Sequence, residues 1–182
     1  MRTRVVLVLL LVGALASAGD EEVRAPFNAF AGAQPGDWEL LEVGTGNSRR
    51  LERWEVKLVD GNKVVVGITL TSPAVSLERT FDASVAPLLS ELYVEPPLPG
   101  TARDAREGSA TKPLRGREFR CKKVAFTAGP ADKRVSGVLW LTDKVKGPGI
   151  VERSLDGQAT AAILGFGEKG TVLWGKTLED AK

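Results

Sequence analysis

Trp54-Glu55-Val56-Lys57-Leu58-Val59-Asp60-Gly61-Asn62-Lys63-Val64-Val65-Val66-Gly67-Ile68-Thr69-Leu70 is two alternating runs joined by a turn, and its reading decides the fold class. Trp54, Val56 and Leu58 alternate with Glu55 and Lys57, and a period of two sends successive side chains to opposite faces of a strand. Asp60-Gly61-Asn62 tolerates positive φ, after which Val64, Val66, Ile68 and Leu70 resume the alternation. The stretch predicts an antiparallel hairpin with one buried face.

The same signal recurs on either side. Upstream, Trp38, Leu40 and Val43 alternate with polar neighbours before the turn cluster Gly44-Thr45-Gly46-Asn47-Ser48. Downstream, Pro73 interrupts and Val75 to Thr80 forms a short extended piece. A helix is predicted next: Asp82 or Ser84 caps it, Pro87 sits in its first turn, and Val85, Leu88, Leu89 and Leu92 make one apolar stripe. Pro96, Pro97 and Pro99-Gly100 end it, and residues 101–115, rich in charge and small polar side chains, read as a solvated linker. Strands follow at 117–127, 134–142, 150–155, 158–166 and 171–176, with Asp156-Gly157 as a second hairpin turn. Phe119 and Cys121 are out of phase with Val124 and Phe126, which predicts a bulge near Lys122 and Lys123.

Tight turns join these strands, so sequence neighbours pair antiparallel, and a sheet of this size must curl to hide its apolar face. The predicted fold is mainly β: a strongly curved antiparallel half-barrel of roughly eight or nine strands with one helix on its concave face. Alternate side chains should turn toward a shared dry interior without a polar cluster able to perform a reaction.

The chain opens with a different pattern. Arg2 and Arg4 precede an apolar run from Val5 to Leu15, and Ala16-Ser17-Ala18 follows, which is the form of a secretory leader cleaved before Gly19. The run is too short to span a bilayer. The expectation is an exported, periplasmic or extracellular protein with a leader at 1–18, a flexible arm at 19–36 and a single β-rich domain at 37–178. The leader holds two of the 25 basic residues and none of the 23 acidic ones, so the remainder is formally neutral. Acidic side chains dominate its first half and basic ones its second, as complementary parts of one sheet would.

Histidine is absent, which removes the usual general base near neutral pH and the commonest transition-metal ligand. Cys121 is the single cysteine, so no intramolecular disulfide forms; its place on the strand face of Phe119 suits a buried, inert thiol, whereas Arg120, Lys122 and Lys123 beside it would lower its pKa and make it reactive if the sulfur were exposed. Gly165-Phe166-Gly167-Glu168-Lys169-Gly170 matches a dinucleotide fingerprint in letters alone, because a strand rather than a helix follows it. Glu52 and Glu55 straddle a strand and point to opposite faces, while Asp104 and Glu107 fall in the linker, so neither pair forms an acid–base couple. No cofactor and no metal site are expected, and an enzyme is the least favoured class.

Two candidate surfaces remain. Trp38, Trp54, Trp140 and Trp174 all lie on strands and could line a cavity for a hydrophobic small molecule or lipid, although filling the core would occupy them equally well. Arg117, Arg120, Lys122 and Lys123 form a basic strand face suited to a protein partner, an anionic lipid headgroup or a cell-wall polymer. Nucleic acid is not expected, since exposed aromatics do not interleave with that charge.

Gly36-Asp37-Trp38, Gly116-Arg117-Glu118-Phe119-Arg120-Cys121, Val138-Leu139-Trp140-Leu141-Thr142-Asp143 and Gly147-Pro148-Gly149-Ile150-Val151-Glu152-Arg153 resemble a loose group of small, uncharacterised exported bacterial β-proteins. In architecture that group is similar to the LolA/LolB-like lipoprotein carriers, unclosed antiparallel barrels with helix over the open face. The resemblance implies a hydrophobic cargo and supplies no site residues. This chain offers one helix where such carriers usually have more.

Overall fold

The computed structural model describes residues 22–46, 49–71 and 74–167. The leader, the Trp174 strand and the end of the glycine-rich motif lie outside the described residues. Among the described residues, nine antiparallel strands form one open sheet: β1 (Trp38–Val43), β2 (Arg50–Asp60), β3 (Lys63–Thr71), β4 (Ala74–Asp82), β5 (Ala102–Leu114), β6 (Arg117–Ala128), β7 (Val135–Leu141), β8 (Ile150–Leu155) and β9 (Gln158–Gly167). Their order is β4-β3-β2-β1-β9-β8-β7-β6-β5, so β1 lies in the interior of the sheet. The predicted hairpin is β2–β3, with Trp54 opposite Ile68 and Val56 opposite Val66.

Cross-strand partners sort the sheet into two faces. Val124, Leu139, Arg153, Ala161 and Val43 follow one another from β6 to β1 along the concave face, and all five are buried. Lys123, Trp140, Glu152, Ala162 and Glu42 form the adjacent row on the other face. The concave side is filled by the chain's own side chains, among them Phe30 stacked on Phe81 with ring centroids 4.2 Å apart and Trp54 tilted against Phe81 at 6.3 Å. Gly137 sits under the Phe126 ring, so closely that a Cβ there would lie 2.2 Å from it.

Four expectations are corrected. No α-helix occurs among the described residues, and Leu89–Leu92 make a single 3₁₀ turn. Tertiary pairing explains this: Ala25 N–H donates to Pro87 O at 2.8 Å and Leu89 N–H to Val23 O at 2.9 Å, which holds the backbone before the turn extended. Leu89 and Leu92 still point inward, but Val85 is 41% exposed and belongs to no stripe. Residues 19–36 are not a loose arm where described. Ala25, Ala29, Phe30 and Ala33 are buried and cover the concave face.

The stretch 101–115 is not a linker either: Ala102–Leu114 is the edge strand β5, whose largely exposed side chains gave it the composition of a loop. Finally, the β5–β6 and β6–β7 ladders run without a break through Lys122 and Lys123. The phase change has another cause. The proximal half of β6 buries Val124 and Phe126, whereas the distal half buries Phe119 and Cys121 from the opposite face. There the hairpin curls over the sheet: Lys112, the cross-strand partner of Phe119, reaches Glu152 on β8 at 2.8 Å, and Arg115 at the hairpin tip pairs with Glu42 on β1.

Candidate functional site

A groove of about 520 Å³ opens where three parts of the chain meet. Its walls are Ser109–Thr111 of β5 and Arg120–Lys122 of β6, the end of β7 with Thr142 and Asp143, and Pro26 and Phe27 of the N-terminal segment. The curl of the β5–β6 hairpin makes one wall. The N-terminal segment makes another, pinned by Asn28, whose Nδ2 donates to the carbonyls of Asp82 and Val85 at 2.9 Å each.

Arg120 and Lys122 are exposed and enter into no ion pair among the described residues. Being two residues apart on one strand, they project from the same face roughly 6–7 Å apart. Phe27, Cys121 and Leu141 give the groove an apolar component beside them, and Asp143 adds one carboxylate to its lining. Cys121 is buried, with Sγ 3.5 Å from Phe119 O, and burial pushes its thiol up to about 11. A shift in that direction disfavours the thiolate, the form that acts as a nucleophile.

The remaining basic residues separate. Lys123 lies over the Trp140 ring at 5.2 Å, on the face opposite Lys122, and Lys112 covers the same ring at 5.0 Å. Arg117 is engaged near the hairpin tip and does not line the groove. The tryptophans are also not brought together. Trp54 is in the concave core, Trp38 is buried with Arg53 5.4 Å from its ring, Trp140 is half-buried between two lysines, and Trp174 lies outside the described residues.

A polar cluster inside the sheet is the feature that the alternating pattern did not predict. Glu39, Glu52 and Arg153 each have no exposed surface. Arg153 donates from Nη2 to Glu52 Oε2 at 3.1 Å and from Nη1 to Leu92 O at 2.8 Å, and its guanidinium lies 5.4 Å from the Tyr93 ring. Glu52 Oε1 accepts from Trp54 Nε1 at 2.7 Å. Glu39 instead accepts backbone N–H bonds, from Gly149 at 2.9 Å and Ile150 at 3.1 Å. Burial raises the Glu39 carboxyl well above its usual range, against the lowering effect of those amides and of Arg153.

Glu52 and Glu55 do face opposite sides of β2, as predicted: Glu55 pairs with Arg53 and Lys57 outside while Glu52 joins the buried cluster. Alternation assigned Glu39 to solvent because Trp38 and Leu40 flank it. Glu39 shares the concave face with Leu41 and Val43, and Trp38 and Leu40 are buried on the other face, so both sides of this part of β1 are covered. Among the described residues, no group of three or more Cys, Asp or Glu side chains is placed to hold a metal ion. No helix of the described residues is long and apolar enough to cross a membrane. Comparison with protein-family models, with curated proteins and with solved structures gives no match.

Proposed function

We propose that the chain is a non-enzymatic binding module whose groove takes an amphipathic anion, with the apolar part against Phe27 and Leu141 and the anionic group between Arg120 and Lys122. The observation that carries this reading is a pair of cations without an ion-pair partner among the described residues, on the rim of a groove with an apolar component. Elsewhere around the hairpin, cations such as Lys112 and Arg115 are paired with carboxylates. A volume of about 520 Å³ suits a small ligand or one acyl chain rather than a bulky cargo. Export, expected from the leader pattern, would put acidic lipids and envelope polymers within reach. The hydrophobic cargo implied by the carrier resemblance then belongs in the groove, since the concave face is occupied by Phe30, Phe81 and Trp54.

Calorimetric titration with dodecyl phosphate below its micellar concentration tests the proposal, with dodecyl maltoside and inorganic phosphate as controls. Binding of the phosphate amphiphile alone is the expected result, weakened about tenfold or more in Arg120→Glu/Lys122→Glu, as loss of about 1.4 kcal/mol implies. Equal affinity for the maltoside, or indifference to the double charge reversal, sinks the reading. A protein partner recovered by wild type and lost by that variant, with no amphiphile bound, would favour the basic face as a protein-interaction surface.

A further inference from the structure

Three charged side chains line the groove, Arg120, Lys122 and Asp143, and none of them enters an ion pair among the described residues. Opposite charges brought this close ordinarily pair, as Lys112–Glu152 and Arg115–Glu42 do elsewhere around the same hairpin. The strand register gives the groove every opportunity to do so. Leu141 stands opposite Lys122 and is the last β7 partner of β6, so the antiparallel chain leaves β7 in the direction of Arg120. Asp143 follows in the turn, yet it stays apart from Arg120, and its carboxylate accepts no hydrogen bond among the described residues.

Register also sets a hydroxyl beside each cation. Ser109 is the partner of Lys122 and Thr111 of Arg120 across the β5–β6 ladder, so these four side chains share one face, and all four line the groove. Directly opposed residues of antiparallel strands lie about 4.5–5.5 Å apart at Cα, close enough for one bound group to touch both. Neither hydroxyl has a partner among the described residues. Two cations and two O–H donors suit an oxyanion with several acceptor oxygens, such as a phosphate ester. Asp143 has the opposite preference, since it repels that anion and attracts an ammonium.

We propose that the groove selects a zwitterion: a single-chain amphiphile whose headgroup carries a phosphodiester and a primary ammonium on a short spacer, the chemistry of phosphoethanolamine. The phosphate lies among Arg120, Lys122, Ser109 and Thr111, the ammonium on Asp143, and the chain against Phe27 and Leu141. This rests on the groove being the binding site, as argued above, and adds the chemical class of its ligand. Charge complementarity carries it. An anion alone leaves Asp143 unpaired beside it, and a cation alone leaves Arg120 and Lys122 unpaired, whereas a zwitterion satisfies all three. Net charge points the other way, because two cations and one carboxylate give the lining a formal charge of +1, and a groove that answered to overall charge would prefer an anionic headgroup.

Dodecyl phosphoethanolamine and dodecyl phosphoglycerol share the chain and the phosphodiester, and differ in carrying an ammonium or hydroxyls. Calorimetric titration of each below its micellar concentration, in low salt, should show the phosphoethanolamine bound about twofold to fivefold tighter, the worth of one solvent-accessible ion pair. Asp143→Asn should abolish that preference or turn it toward phosphoglycerol, and Arg120→Glu/Lys122→Glu should weaken both ligands. Phosphoglycerol bound by wild type as tightly as phosphoethanolamine, or more so, overturns the proposal, as does a preference that survives Asp143→Asn. Should Asp143→Asn not fold, the wild-type Asp143 carboxyl shift, followed by NMR, should move with phosphoethanolamine and stay in place with phosphoglycerol; equal movement overturns the proposal. Chain-free glycerophosphoethanolamine separates a lipid from the same headgroup on another molecule: it should bind at least tenfold more weakly, and affinity equal to that of the dodecyl ester overturns an amphiphile as the ligand. Binding of neither amphiphile condemns the groove reading and this proposal with it, whereas binding of both that depends on Arg120 and Lys122 but lacks the preference leaves the groove reading standing and removes the zwitterion alone.

Discussion

The Arg153–Glu52 pair inside the sheet and the Lys112–Glu152 and Arg115–Glu42 pairs under the curled hairpin use the same chemistry at opposite ends of solvent access. In the first, both side chains are 0% exposed; in the others, exposure runs from 15% to 41%. Water decides what each is worth. A guanidinium that loses its partner in the interior leaves an uncompensated charge, whereas a half-exposed lysine or arginine is resolvated at once. The interior pair therefore fixes where the Leu89–Leu92 turn docks, through Arg153 Nη1 on Leu92 O, while the outer pairs tether the curled hairpin from the solvent side.

Removing one interior partner should break that comparison most visibly. Arg153→Ala is expected to cost about 3–5 kcal/mol in chemical denaturation, since Glu52 is left buried and unpaired. The double substitution Arg153→Met/Glu52→Met should recover most of that loss, because apolar groups of similar size carry no desolvation penalty; a double variant as unstable as the single one would show that shape rather than charge is at stake. Next in size, Gly137→Ala drives a methyl into the Phe126 ring and should cost about 1–3 kcal/mol in the same measurement. A neutral result there would mean that the ring has room to turn away.

The outer pairs should give the smallest response. Lys112→Ala should lower stability by no more than about 1 kcal/mol in low salt and by less in high salt. A salt-independent loss above that size would mean that the contact with Trp140, rather than the ion pair, holds the hairpin. Burial of Cys121 can be read in the same variant: alkylation of the native thiol should be slow in wild type and faster when the hairpin is loosened, and equal rates would uncouple the hairpin tip from the groove.

Where one face of a strand is buried and the other is wet, the residues announce it. The β2–β3 hairpin and the Asp156-Gly157 turn were legible for that reason. Legibility ended where strands are covered twice or not at all. Glu39 reads as a solvent residue between Trp38 and Leu40 because alternation assumes one wet face, which β1 lacks. Edge strand β5 failed in the opposite way: its exposed, charged sequence looks like a loop, and backbone pairing with β6 supplies what its side chains do not. The break in phase at Lys122 was real in the residues, but its origin is a hairpin that changes its buried face rather than an extra residue in the ladder. Of the groove, Arg120 and Lys122 were named from sequence; Phe27 and Leu141 were not, since they come from the N-terminal segment and from another strand.

The amino-acid sequence alone determined the strands and their antiparallel neighbours, because side-chain period and turn chemistry act within a few residues of one another. It also determined that histidine is absent from the sequence and that the single cysteine shares a strand face with Phe119. Tertiary structure decided what depends on distant segments arriving together: an extended segment and one 3₁₀ turn in place of a helix, Arg153 beside Glu52 across 101 residues, and a loop closed over Glu39. Local propensity and period are properties of neighbouring residues, whereas burial of a charge depends on which other parts of the chain exclude water from it.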